Sequence, residues 1–194
     1  MSKRVTASEG DRLYVWVETH SGWSNYRAWT DGMELEFSGS TNGYRKDVEE
    51  ILRRMIRAPR EPPPKVVNTA KLVFERFEAY LRHIEVLGDD MIGTAVDFDE
   101  PDDPYSSTLY IEMTTRRIEI FDRVVSDGKE DLGPAEPGWE VVIDVEYRGY
   151  DGYSGEGQHK VTRKLMFKGR IEPNVVWEEL MRVVRRAVNA LPTE

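Results

Sequence analysis

The spacing of apolar and polar positions predicts a mixed α+β chain. Residues 13–17 (Leu-Tyr-Val-Trp-Val) read as a strand from their β-branched and aromatic content. Met33, Leu35 and Phe37 alternate with Glu34 and Glu36, which predicts a strand with one buried face. Val48, Ile51, Leu52, Met55 and Ile56 then fall on one side of a helix that Asn42 can cap. Pro59 must stop that helix, and residues 60–64 read as a short extended spacer. A longer helix follows, with Ala70, Val73, Phe74, Phe77, Leu81 and Ile84 as its apolar stripe, Asn68 as cap and Gly88 as terminator.

Leu109, Ile111 and Met113 alternate, as do Ile118 and Ile120, so a hairpin turning at residues 114–117 is expected. Asp127-Gly128 and the glycines and prolines of 133–138 mark loops. Residues 140–147 and 161–167 read as paired strands. Pro173 opens a last helix with Val176, Leu180, Val183, Val184, Ala187 and Leu191 inward, and Pro192 closes it. Three amphipathic helices on a largely antiparallel sheet make a two-layer α+β arrangement.

Two stretches resemble each other. Val17-Glu18, Gly22-Trp23, Tyr26, Phe37 with Gly39, and a helix ending Arg57-Ala58 recur as Val145-Glu146, Gly149-Tyr150, Tyr153, Phe167 with Gly169, and Arg186-Ala187. The expected layout is one domain over 1–194, with ββα units at 12–58 and 139–191 flanking a helix-plus-hairpin insert at 66–138.

Charge sharpens this division. The net charge is −9, and residues 66–138 hold 17 Asp/Glu against 7 Lys/Arg, while the flanking segments are close to neutral. Such a centre repels a phosphate backbone, so non-specific nucleic-acid binding is not expected, and a partner with a basic surface is. The same acid also keeps a protein soluble. Cysteine is absent, which excludes disulfides, thiolate metal sites and cysteine nucleophiles. No apolar leader and no membrane-length apolar run is present, so a cytoplasmic protein is expected.

Candidate chemistry concentrates in the loops of the two repeated hairpins. Trp23, Tyr26 and Trp29 recur every third residue, and Tyr147, Tyr150 and Tyr153 each precede a Gly by two. A period of three fits neither strand nor α-helix, so these rings are expected on extended loops as partner-binding residues. Packing over the end of the sheet is the competing explanation. Asp97, Asp99, Glu100, Asp102 and Asp103 form an acidic surface stretch, but Pro101 and Pro104 break the calcium-loop pattern.

Glu34, Glu36, Glu112, Glu119, Asp144 and Glu146 alternate outward and could meet as an acid/base or metal pair; salt pairing with Arg116, Arg117, Arg163 and Lys164 is the plainer expectation. His20, His83 and His159 form no catalytic grouping. No phosphate loop, dinucleotide fingerprint or nucleophile elbow is present, so no catalytic residue, metal site or cofactor is assigned. The expectation is a non-enzymatic soluble interaction protein of inhibitor, immunity or phage anti-defence type. The alternatives are an enzyme or a nucleotide- or metal-binding protein with a carboxylate- and aromatic-lined pocket between the repeats, and a phage virion assembly component.

Overall fold

The computed structural model describes residues 3–6, 12–19, 21–30, 35–41, 61–84, 90–97, 108–150 and 156–190. In chain order these form β1 (Lys3–Thr6), β2 (Arg12–Thr19), β3 (Ser24–Thr30), β4 (Leu35–Thr41), α1 (Pro64–Leu81), β5 (Asp90–Asp97), β6 (Thr108–Ser126), β7 (Lys129–Tyr150), β8 (Glu156–Lys168) and α2 (Pro173–Ala190). All described strands join one antiparallel sheet in the order β1-β2-β3-β4-β8-β7-β6-β5. The order counts inward from both edges. Two four-stranded meanders therefore meet at β4 and β8, where Leu35 lies opposite Arg163 and Ser40 opposite Gln158.

One face of the sheet carries the core. Leu109, Ile111 and Met113 of β6, Val141, Ile143 and Val145 of β7, and Val161, Leu165 and Phe167 of β8 are buried at alternate positions, as strand geometry requires of a half-buried sheet. The helices cover them. α1 buries Val66, Ala70, Val73, Phe77 and Tyr80, and packs on β5 and β6. α2 buries Val176, Leu180, Val183, Val184 and Ala187, and packs on β7 and β8. The helices touch through Phe74 and Trp177, whose ring centres are 5.1 Å apart. Arg163 Nε donates to Glu179 Oε2 at 3.1 Å, and with both side chains largely buried this pair fastens α2 to β8.

The α+β class, the antiparallel sheet and the amphipathic helices are observed; several expected details are not. Two helices are described, and the helix expected over 48–56 lies outside the described residues. The helix expected to begin near Asn68 starts at Pro64 instead of leaving that proline in a spacer. A proline fits the first helical turn, where its missing N–H is not needed. Of the expected ββα units, 139–191 takes in the end of β7, β8 and α2, whereas 12–58 holds three described strands, β2–β4, and its residues 42–58 lie outside the described residues. Val17 lies on the second strand of its meander and Val145 on the third of the other, and β3 occupies the stretch taken as the first loop.

β6 does not turn at 114–117. It runs 19 residues without interruption, because Thr114 and Thr115 are β-branched and supply no turn chemistry. The turn comes at Asp127-Gly128, where both residues have positive φ (49° and 74°) and Ser126 pairs with Lys129. Two positive φ values in a two-residue loop define the mirror-image turn that suits the strand twist. Residues 133–138 are strand, not loop, and belong to the 22-residue β7. β5 and β1 carried weak signals and were not expected.

Together β6 and β7 outrun the sheet. Among the described residues β5 pairs with β6 as far as Asp90↔Thr115, and β8 pairs with β7 from Gly138↔Lys168. Beyond these points residues 116–126 and 129–137 continue as a two-stranded ribbon roughly 30 Å long, at about 3.4 Å per residue. A bulge interrupts the ribbon where Asp122 faces both Gly133 and Pro134, between the pairs Phe121↔Ala135 and Arg123↔Leu132. Prolines are tolerated here because, among the described residues, β7 pairs with only one strand along this stretch. At the base, Lys168 Nζ lies 2.5 Å from Asp122 Oδ1 and 3.5 Å from Glu136 Oε2, tying β8 to both ribbon strands.

Candidate interaction surface

The expected aromatic loops divide in the structure. Trp23 sits in the β2–β3 turn beside Gly22, whose φ of 88° requires a residue without a Cβ, and it is 38% exposed. Tyr26 does not belong to that surface. It lies within β3 opposite Val17 and Gly39, is 2% exposed, and joins the main core. Burial raises its phenol pKa far above the ordinary value. The correction has a simple cause: three residues along a strand is an odd step, so rings at that period alternate between faces. Trp29 occupies the register position between Tyr14 and Glu36.

In the second hairpin, Tyr147 and Tyr150 are positions of the β7 ladder, opposite His159 and Glu156, not of a loop. Gly149 lies opposite Gly157, so the Tyr-x-Gly triplet begins inside paired strand. Tyr153 lies outside the described residues. Of the acidic stretch, Asp97 ends β5 opposite Thr108, while Asp99, Glu100, Asp102 and Asp103 lie outside the described residues.

The face of β6–β8 opposite the helices is polar and laced by ion pairs. Arg116 Nη2 donates to Glu140 Oε1 at 2.7 Å. Asp144 accepts from the Thr162 hydroxyl at 2.5 Å and from Lys160 Nζ at 2.8 Å. Glu112 and Glu146 share this face, whereas Glu119 falls on the other side because β6 continues without a turn. Glu34 lies outside the described residues, and Glu36 holds the register position opposite Thr162. Among the described residues no three Asp, Glu or His side chains cluster as a metal site would require. Carboxylates facing cations across strands are what an antiparallel solvated face produces.

Sequence reasoning missed two features of this surface. Trp16 of β2 is 41% exposed and lies directly opposite Arg27 of β3, itself exposed. Its signal was the parity of β2, since Val17 packs against the core and its neighbour must face away. The other is the ribbon, with Phe121, Val124, Val125 and Leu132 all exposed. Among the described residues no helix is long and apolar enough to cross a membrane. No protein-family model, curated protein or solved structure matches the chain.

Proposed function

We propose that the chain is a non-enzymatic interaction protein that holds a macromolecular partner at the β2–β3 end of the sheet. The observation that carries this reading is the exposure of two tryptophans, Trp16 and Trp23, on one hairpin, with Arg27 opposite Trp16 in register. Tryptophan and arginine are the residues most enriched where binding energy concentrates, and an exposed indole gains by leaving water. The acid of residues 66–138 favours a partner whose surface is basic, and would speed encounter more than it tightens the complex.

The test is affinity purification from a native-like lysate with mass spectrometry, comparing wild type with Trp16→Ala and Trp23→Ala. One protein should be enriched by wild type and lost from both variants, with melting temperatures unchanged within about 3 °C, as for exposed side chains. Its retention should fall as salt rises. A protein captured equally by all three chains removes this surface from the function. A large drop in melting temperature returns the indoles to a structural role.

A further inference from the structure

The exposed ribbon is separate from the β2–β3 surface and has its own logic. Its two edges are not alike. The β7 edge is blunted by Pro134 and Pro137, which have no N–H to donate, and by the bulge. The β6 edge over residues 116–126 has no proline, and its strand carries the single residue at the bulge, so its backbone runs on regularly. Among the described residues no strand pairs with it beyond Thr115. It presents Phe121 (47% exposed), Val124 and Val125 (65% exposed) beside Leu132 (67% exposed) of β7. A regular open edge with exposed apolar side chains is a template for another strand.

We propose that this strand is the same segment of a second copy, paired antiparallel across a twofold axis at Phe121. A twofold between antiparallel strands stands perpendicular to the sheet, so facing residues have the same parity and only every second register is allowed. With Phe121 facing its own mate, Glu119 faces Arg123, Ile118 faces Val124 and Arg117 faces Val125, each twice. Opposite charges meet and no like charges do. One allowed step toward Ile120 sets Arg117 against Arg123 twice; one step toward Asp122 sets Asp122 against itself. Like charges directly opposite are destabilising, so both neighbouring registers are penalised.

The product is a four-stranded sheet joining two protomers, with Phe121 and its mate at the centre. Arg123 enters already held by Glu130 of its own ribbon, so its guanidinium is oriented before association.

Sedimentation velocity of the full chain across a dilution series tests this. The wild type should show a monomer–dimer equilibrium. Phe121→Asp, which places two carboxylates at the axis, and Glu119→Arg, which sets arginines against Arg123 twice, should each weaken the dimer about tenfold or more. Both positions are exposed, so in dilute solution, where both chains are monomeric, far-UV circular dichroism and melting temperature should match wild type. Adding Arg123→Glu and Glu130→Arg to Glu119→Arg should restore the dimer, because the swapped charges again oppose and position 123 keeps an opposite charge within its own ribbon. A chain that is monomeric at every concentration overturns the proposal. So does a dimer indifferent to Phe121→Asp and Glu119→Arg. A monomer that captures a different protein through Phe121 also overturns it, by giving the arm another occupant.

Discussion

Tyr26 shows how one residue's place in the sheet decides its chemistry. On a loop its phenol would ionise near 10.0; inside the core burial holds the proton. The sign of the pH dependence follows. The unfolded chain loses the phenolic proton near its ordinary value while the folded chain keeps it, so above that pH the unfolded state binds fewer protons. Stability is fully present below pH 10 and falls as pH rises beyond it, by up to about 1.4 kcal/mol per pH unit from this group. Urea unfolding of wild type and Tyr26→Phe between neutral pH and pH 11 measures it. The alkaline slope of the variant should be shallower, and equal slopes would place the Tyr26 ring in water.

At the level of single elements, the long β6–β7 hairpin shows what a local reading misses. Alternation in residues 109–113 and 140–147 marked strands correctly, and Asp127-Gly128 carried the turn signal. The stretch 133–138 was misread because glycine and proline usually break strands. Here they serve one. Gly138 lies where Ile120 crosses the strand, and a Cβ built on it would meet Ile120 Cδ1 and approach the Phe167 carbonyl oxygen to 2.5 Å. The carbonyl is backbone and cannot swing aside. Gly138→Ala should therefore destabilise by about 1–3 kcal/mol, lowering the melting temperature by roughly 2–12 °C. Thermal denaturation followed by circular dichroism checks this, and an unchanged midpoint would mean that the strands separate there at little cost. A sequence pattern names the residue but not the neighbour 29 positions on that makes it necessary.

On the scale of the whole molecule, the sheet is two meanders closed against each other, and the resemblance between the two ends of the chain does not describe that pairing. Phe37 and Gly39 lie in β4 and Phe167 in β8, but Gly169 falls just past the end of β8. Strand counting failed upstream, where β3 was read as loop and the alternation of Ile92, Thr94 and Val96 in β5 was passed over. Long-range order also separates what holds the fold from what extends beyond it. The buried clusters draw on α1, α2 and the sheet, and contain none of residues 121–135.

Those residues should therefore be removable. Ile120 and Glu136 are directly opposite, so replacing residues 121–135 by Asn-Gly closes the shortened hairpin with a two-residue turn of the right hand. Lys168 loses Asp122 but keeps Glu136, so the base of the ribbon stays tied to β8. In dilute solution, where mass action adds nothing, the shortened chain should melt within about 4 °C of the full one, a difference of about 1 kcal/mol. At high concentration only the full chain should gain in melting temperature, because only it retains the open β6 edge. A shortened chain that fails to fold would show that the ribbon belongs to the core's cooperative unit rather than extending from it.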